Sequence, residues 1–279
     1  MMTQSLTILL CIVMIMGCKT DRQTLVGALK HAEKIAIKGT VIYYEEYGQG
    51  VPVLLLSGGG LNRSIKDFEK SIPSLASSFR IIAPDTPGQG QSAQTDTLSY
   101  SLLADIFSAF IDSLHLDSAY IMGLSDGAIV ALMLADQRAD KVKRIIAVGA
   151  NNGTRGFNLP EGVSLDSLKI PTVDDWAQYH EKDISFYNEL VPKKDWRKMA
   201  ANLNKMWYEK EYFPASVYQG IKIPTLIVQG DRDDISLSHG LEMYHSIKNS
   251  QYCVLPNTTH EVFEEQPELI TKISLDFFK

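Results

Sequence analysis

Short apolar runs alternate with helical stretches along most of this chain, and no other feature restricts its fold as strongly. The runs at 51–56 and 119–122 are apolar throughout, as expected for strands that are buried on both faces of a parallel sheet. Repeated strand–helix units predict an α/β protein, with a mostly parallel sheet and helices on both faces. The predicted strands are 34–37 and 40–44, which form a hairpin, followed by 51–56, 79–83, 119–122, 144–148, 224–228 and 251–255. The predicted helices are 65–77, 99–114, 126–137, 238–248 and 266–279.

The alternation stops between residues 152 and 219. This segment has helical character, and it contains all three tryptophans of the chain, Trp176, Trp196 and Trp207. We interpret it as a helical lid inserted between two parts of the core, residues 33–151 and 220–279. Most of its aromatic side chains are expected to pack the lid on the sheet, and some to line an apolar pocket.

The first 17 residues predict an export signal. An uninterrupted apolar run at 6–16 is too short to span a bilayer and has the length of a signal-peptide core. The Ile-Met-Gly sequence before Cys18 resembles a bacterial lipobox, although Lys and Arg are absent ahead of the run. We therefore expect residues 1–17 to be a signal peptide, Cys18 to receive lipid and residues 18–32 to form a linker. The protein would then be an exported lipoprotein anchored in the cell envelope, with Lys19 favouring the outer membrane; a plain signal or anchor, or a misassigned start codon, is the alternative.

The charge balance excludes one large class of partner. The chain has 27 Lys and Arg against 33 Asp and Glu, a formal net charge of −6. Nucleic-acid binding needs clustered basic residues, and no basic stripe is visible. No zinc-ligand spacing or phosphate-loop motif occurs either, so we expect no metal and no organic cofactor. Cys253 is the single cysteine beyond residue 18, which excludes a disulfide within the folded part.

A serine between two glycines stands where a predicted strand turns into a helix. In the G-L-S-D-G segment, residues 123–127, the glycines permit a turn that is too tight for bulky neighbours. The turn would lift the Ser125 hydroxyl above the carboxyl edge of the sheet, and the helix N-terminus behind it would offer N–H groups to a developing negative charge. Ser125 is therefore a candidate nucleophile; a glycine-rich connector is the alternative.

A nucleophilic serine needs a base, and His260 is the best placed of the six histidines. It alone lies in a loop directly after a late predicted strand, where it can reach the carboxyl edge of the sheet. There it would accept the Ser125 proton and later protonate the leaving group. The loop after strand 224–228 contains three carboxylates that could orient this histidine, Asp231, Asp233 and Asp234. The chain order serine, aspartate, histidine is the one expected for this fold.

A run of glycines follows the strand at 51–56. The segment Ser-Gly-Gly-Gly at 57–60 looks like the H-G-G-G loop of lipases and esterases, which offers backbone N–H groups to an oxyanion. Gly59 is the first candidate donor and Gly60 the alternative, and the N–H of Asp126 is the expected second donor. Phosphate binding is the rival interpretation, but the Gly-Lys-Ser/Thr of a phosphate loop does not follow.

These features together resemble the α/β-hydrolase superfamily over about residues 33–279. Residues 85–92 look like the D-x-R-G-x-G-x-S loop of that family, with Pro87 in the place of the arginine, and residues 259–267 look like its terminal histidine segment. The resemblance implies the α/β-hydrolase fold, a mostly parallel sheet with helices on both faces and an inserted helical lid.

The resemblance also implies a site and an activity. In the family the acid falls three residues after a glycine, which selects Asp233 here and leaves Asp231 and Asp234 as turn and capping residues. The implied enzyme is a serine hydrolase that acts on a small carboxylic ester through an acyl-enzyme. The same scaffold supports C–C bond hydrolysis, perhydrolysis and aminopeptidase chemistry, and it can serve as a non-catalytic ligand-binding protein. These remain alternatives.

The carboxylate directly after the serine points to a narrower group. G-L-S-D-G-A-I-V-A-L followed by V-G-A-N resembles the valacyclovir hydrolase, or biphenyl hydrolase-like, group. In that group the corresponding aspartate holds the α-amino group of the substrate. The resemblance implies that Asp126 binds an amine and that the substrate is an amino-acid ester or amide. A structural aspartate that bonds neighbouring loops is the alternative.

Overall fold

The computed structural model describes residues 29–190 and 194–279. In these residues eight strands form one sheet, in the spatial order β1-β2-β4-β3-β5-β6-β7-β8. The strands are β1 Leu29–Ile37, β2 Thr40–Gly48, β3 Pro52–Leu56, β4 Arg80–Pro84, β5 Ala119–Leu124, β6 Val142–Val148, β7 Thr225–Gly230 and β8 Ser250–Leu255. The predicted signal peptide, Cys18 and the linker up to residue 28 lie outside the described residues.

The strand pairing confirms a mostly parallel sheet. β1 and β2 form the predicted hairpin through a turn at Lys38 and Gly39, whose φ angles are 46° and 82°. β2 also pairs antiparallel with β4, and every pairing from β4 to β8 is parallel. The carboxyl ends of the parallel strands therefore share one edge, where the loops after β3, β5, β7 and β8 meet. β1 begins at Leu29, ahead of the predicted start of the core at residue 33.

The helices, in chain order, are α1 Ile72–Ala76, α2 Tyr100–Ser113, α3 Asp126–Gln137, α4 Val173–Tyr179, α5 Glu181–Leu190, α6 Trp196–Trp207, α7 Ser216–Gly220, α8 Leu237–Ser246, α9 Val262–Glu265 and α10 Pro267–Phe278. The predicted helix at 65–77 is broken, since a 3-10 turn at Ile65–Phe68 precedes the short α1. Pro73 explains the break, because a proline lacks the N–H of a helix interior and is tolerated only in the first turn. None of the helices in the described residues is both long and apolar enough to cross a bilayer.

Apolar side chains pack on both faces of the sheet. In β3, Leu54 and Leu56 belong to the core cluster that includes α2 and α3, whereas Val53 and Leu55 belong to the cluster that includes α1 and α10. Successive side chains of a strand point to opposite faces, so a strand covered on both faces needs an uninterrupted apolar run. α3 is buried along most of its length because it packs between the sheet and α2.

In the described residues, four helices, α4 to α7, lie between β6 and β7. The described residues of this segment contain no strand; one isolated bridge joins Phe157 to Ile235. The phenol O–H of Tyr187, in α5, donates to the carbonyl oxygen of Gly88 at 2.9 Å and so fastens the helical segment to a loop of the core. α6 has one apolar face and ends at Trp207, above the carboxyl edge of the sheet.

Candidate active site

Ser125 lies at the sharp turn between β5 and α3. Its backbone has φ 51° and ψ −116°, a conformation that costs a residue with a Cβ on the order of 1–3 kcal/mol. A Cβ on Gly123 would lie 2.3 Å from the carbonyl oxygen of Gly127, and a Cβ on Gly127 would lie 2.0 Å from that of Leu56. Both glycines are therefore required by the close approach of strand and helix.

His260 and Asp233 lie together in the loops after β8 and β7. The Nδ1 atom of His260 is 2.7 Å from Oδ1 of Asp233, whose side chain is fully buried. The backbone N–H of Ile235 donates to the same Oδ1 at 2.9 Å, which holds the carboxylate in place. A carboxylate at this distance favours the tautomer with the proton on Nδ1, so that Nε2 is left as the basic nitrogen.

The surroundings of His260 change its pKa. Burial is the largest single influence and lowers the pKa, but the hydrogen bond and charge of Asp233, together with the charges of Asp234 and Glu261, raise it, so the pKa of His260 lies above its ordinary value of 6.5. The other two candidate carboxylates make different contacts. Asp231 accepts the backbone N–H of Thr258 at 3.0 Å, and Asp234 lies in the wall of a nearby cavity.

A cavity of about 590 Å³ opens over this edge of the sheet. Ser125, His260, Gly59 and Asp126 all line it, so the structure brings these four residues to one place, and Asp233 lies behind His260. Most of the aromatic wall comes from the helical segment between β6 and β7 and consists of Phe157, Trp176, Trp207, Tyr208 and Tyr212, and α2 adds Tyr100.

The glycine loop, residues 57–60, follows β3 and borders the cavity. The N–H of Gly58 donates to Oδ2 of Asp67 at 3.0 Å. The amide Nε2 of the buried Gln89 donates to the carbonyl oxygens of Gly58 and Gly60, at 3.1 and 2.9 Å. These bonds hold the loop in place.

Two backbone N–H groups beside Ser125 remain available. Among the described residues, neither the N–H of Gly59 nor that of Asp126 donates to a protein acceptor. A Cβ on Gly59 would lie 1.8 Å from Oδ2 of Asp126, so only glycine fits there without displacing the carboxylate. Two free donors next to a serine hydroxyl can stabilise the oxyanion of a tetrahedral intermediate. Gly60, the alternative donor, also lines the cavity.

The side chain of Asp126 is buried between the elbow and α6. Its Oδ1 accepts the phenol O–H of Tyr100 at 2.7 Å, and its Oδ2 accepts the indole N–H of Trp207 at 2.9 Å. Burial raises the pKa of this carboxyl, while the bonds from Trp207 and Tyr100 act to lower it. None of the ion pairs between described residues involves Asp126. The two hydrogen bonds are what a structural aspartate would make. The carboxylate also lies in the cavity wall, which is the place that binding of a substrate amine requires.

Rings from α4 to α6 form a stack along one side of the cavity. The centroids of Trp207 and Trp176 are 5.9 Å apart with planes at 29°, and those of Trp176 and His180 are 4.6 Å apart with planes at 31°. Nδ1 of His180 lies 3.0 Å from Oδ2 of Asp183. The stack therefore has a carboxylate at each end, Asp126 and Asp183, and an aromatic surface between them.

Several residues of the site escaped sequence reasoning. Gly149, directly after β6, has φ 63°, and a Cβ there would lie 2.6 Å from Cε1 of His260. Its place after a buried strand was the one available signal. Nothing in the local sequence marks Gln89 or Arg63, because their partners are far away along the chain. Among residues 29–190 and 194–279, no cluster of three or more His, Cys, Asp or Glu side chains could hold a metal ion.

Known proteins resemble this chain in sequence. The sequence model of the alpha/beta hydrolase family matches residues 53–273. The chain is similar to 2-hydroxy-6-oxo-6-phenylhexa-2,4-dienoate hydrolase of Burkholderia cepacia, with 26% identity over 259 residues, covering 85% of this chain and 90% of that protein. It is also similar to serine hydrolase BPHL of Mus musculus, with 23% identity over 266 residues, covering 91% of this chain and 88% of that protein.

A solved structure shares the fold. The meta-cleavage product hydrolase CumD from Pseudomonas fluorescens IP01 matches with a TM-score of 0.72 at 22% identity, over 88% of this chain and 97% of that one. This likeness concerns the fold alone, and together with the family match it confirms the predicted architecture.

Proposed function

The chain belongs to the alpha/beta hydrolase family and is a hydrolase, and we propose that it cleaves a small carboxylic ester through an acyl-enzyme formed on Ser125. The observation that carries the proposal is the hydrogen bond between His260 and Asp233 at the rim of the cavity that Ser125 lines. The three side chains follow β5, β7 and β8, in the chain order typical of the α/β-hydrolase fold.

The proposed reaction has two halves. The Ser125 oxygen attacks the ester carbonyl carbon while Nε2 of His260 takes the hydroxyl proton, and Asp233 stabilises the imidazolium that results. The N–H groups of Gly59 and Asp126 bind the oxyanion. Collapse of this intermediate breaks the C–O bond, and the alcohol leaves with the proton from His260. A water molecule, deprotonated by His260, then attacks the acyl-enzyme and releases the acid and the free serine.

The charges of the cavity support an uncharged or amine-bearing substrate. Asp126, Asp183, Asp234 and Glu261 line the cavity, and Arg63 is the single Lys or Arg among its described lining residues. A cationic group near the scissile ester would be attracted to this wall. The mouse relative is named only as a serine hydrolase, so the amine preference rests on Asp126 and on the charge of the wall.

A covalent probe and a substrate screen test the proposal. A fluorophosphonate should label the wild-type protein on Ser125 and leave Ser125→Ala unlabelled. In a screen of p-nitrophenyl acyl esters against amino-acid esters, Ser125→Ala should lose about 10⁴- to 10⁶-fold in turnover if the three side chains act as a unit. A wild-type protein that resists labelling, or a variant that keeps its turnover, would show that Ser125 is no nucleophile and would favour a ligand-binding role.

A C–C bond hydrolase is the second candidate, and the ring stack favours it. The Burkholderia cepacia relative is named for a substrate that contains a phenyl group and a carboxylate. The stacked rings would accept a phenyl group. The carboxylate, however, would lie near Asp126 and Asp183, and Arg63 is already paired with Glu261. An ester without a negative charge therefore fits the cavity better, and inclusion of the dienoate in the screen decides between the two.

A further inference from the structure

An ion-paired arginine lies between two loops of the proposed active site. Arg63 follows the glycine loop and lines the cavity. On one side it faces Asp67, and on the other it reaches Glu261, which directly follows His260. The histidine loop, residues 256–261, and the glycine loop are thus joined by one guanidinium across 198 positions of sequence.

The Arg63 side chain packs beside Gly60, and its polar contact with the glycine loop passes through Asp67. Its Oδ2 accepts the N–H of Gly58 at 3.0 Å, and its Oδ1 lies 3.5 Å from Nη1 of Arg63. The Asp67 side chain is 6% exposed, and the Arg63 side chain is 17% exposed. Burial raises the pKa of Asp67 to about 6 even with Arg63 beside it. Without the guanidinium this carboxylate would be buried with no counter-ion, and its bond to Gly58 would weaken.

The contact with the histidine loop is bidentate. Nη1 of Arg63 donates to Oε2 of Glu261 at 2.9 Å, and Nη2 donates to Oε1 of the same carboxylate. Two parallel bonds fix orientation as well as distance, which a single point charge cannot do. Since Glu261 is the neighbour of His260 in the chain, the pair restrains the segment that carries the imidazole.

We propose that Arg63 is a positioning residue, which holds the glycine loop and the histidine loop in register so that the Gly59 N–H and the His260 imidazole act on the same carbonyl group. Among the described residues, Arg63 forms ion pairs with Asp67 and Glu261 and none with His260, and we expect it to act through those two carboxylates. The inference rests on the proposed function, because it concerns the donor and the base of that reaction. A misplacement of about 1 Å at a reacting group can cost on the order of 100-fold in rate.

Replacing Arg63 and replacing Glu261 should shift the pH profile of activity in opposite directions. The charged groups that act on His260 are Asp233, Asp234, Glu261 and Asp126, which favour its protonated form, and Arg63, which is paired with Glu261, carries the opposite charge. Arg63→Gln removes a positive charge, so the pKa of His260 should rise and the acidic limb of activity should move to higher pH. Glu261→Gln removes a negative charge, and the limb should move to lower pH. A side chain that merely supports the fold would lower activity without these opposed shifts.

The experiment compares Arg63→Gln, Arg63→Lys, Glu261→Gln and the double variant Arg63→Gln/Glu261→Gln. The control is Arg80→Gln, since Arg80 makes a bidentate pair with Glu46, at 2.9 and 2.8 Å, where β4 begins at the opposite edge of the sheet. The measurements are the rate of fluorophosphonate labelling of Ser125, the kcat and KM for p-nitrophenyl acetate per active site titrated, and the pH dependence of kcat/KM.

In Arg63→Gln the labelling rate and kcat should fall about 10- to 100-fold, with KM changed by less than about threefold. The double variant should be no slower than Arg63→Gln alone, because the pair acts as a unit. Arg63→Lys keeps the charge and should recover only part of the rate, and it keeps the test valid if Arg63→Gln fails to fold.

The proposal is overturned if folded Arg63→Gln or Arg63→Lys has the same labelling rate and kcat as Arg80→Gln. It is also overturned if the losses of rate in Arg63→Gln and Glu261→Gln simply add in the double variant. Failure of the proposed function looks different, because the wild-type protein itself would then resist labelling at Ser125.

Discussion

At the scale of single residues, the base of the proposed reaction is defined by its neighbours. The pKa of His260 is raised above 6.5 because the combined effect of Asp233, Asp234 and Glu261 exceeds that of burial. A histidine must be neutral to accept a proton, so activity should increase as pH rises through this pKa. The acidic limb of kcat/KM for p-nitrophenyl acetate should therefore have its midpoint above pH 6.5.

Asp233→Asn should reverse this shift and slow the reaction. Without the carboxylate, burial becomes the main influence, so the pKa of His260 should fall and the limb should move to lower pH. The loss of the oriented tautomer should reduce kcat about 10⁴-fold. Asp231→Asn is the control, since Asp231 accepts the N–H of Thr258 and does not touch His260. An unmoved limb in Asp233→Asn would contradict the assigned role.

The carboxylate of Asp126 offers a test of substrate class. If its charge attracts an ammonium group, Asp126→Asn should reduce kcat/KM for amino-acid esters at least about 10-fold and change that for plain acyl esters far less. Tyr100→Phe removes one hydrogen bond from the same carboxylate and leaves its charge, so it should keep the preference. If Asp126→Asn leaves the preference between amino-acid esters and plain acyl esters unchanged, Asp126 does not bind an amine and its role is structural only.

At the scale of elements, the loops that end parallel strands bring the site together. The loop after β6 lies against the His260 ring. Gly149 in this loop leaves room for the ring because it has no side chain. Gly149→Ala should cost about 1–2 kcal/mol in strain from its positive φ and should also displace the imidazole. We expect kcat/KM to fall about 100-fold.

Gly162→Ala is the matched control for this substitution. Gly162 has φ 82°, and a Cβ there would meet nothing within 4 Å, so the variant carries the strain without the collision. Thermal unfolding and kcat/KM should be measured for both proteins. Equal losses of activity in the two variants would mean that strain, and not the contact with His260, is responsible.

At the scale of the whole molecule, the cavity lies between the sheet and the helices α4 to α6. The predicted lipid anchor lies outside the described residues. The proposal that the protein is an exported lipoprotein depends on residues 1–18 alone. Metabolic labelling with a palmitate analogue should mark the wild-type protein, and Cys18→Ser should abolish the mark and release the protein from the membrane fraction. Cys253→Ser should keep both. A wild-type protein that takes up no label would refute the prediction.

The sequence by itself determined the features that depend on neighbours along the chain. The apolar runs predicted the parallel strands because both faces of the sheet are covered, and the two glycines around Ser125 predicted a turn in which a Cβ would collide with backbone. The same logic failed at 65–77, where Pro73 splits a helical pattern. Helix and strand are local patterns, so local sequence carries most of their signal.

Only the tertiary structure decided which distant groups meet. The sequence left three carboxylates as partners for His260 until a family resemblance selected Asp233, and the folded chain places Asp233 at 2.7 Å. No pattern in the sequence indicated that Gln89 would hold the glycine loop or that Arg63 would pair with Glu261. Such contacts arise because the loops that follow parallel strands lie at one edge of the sheet. Which side chains meet there depends on distances in the folded chain, and no local sequence pattern predicts those distances.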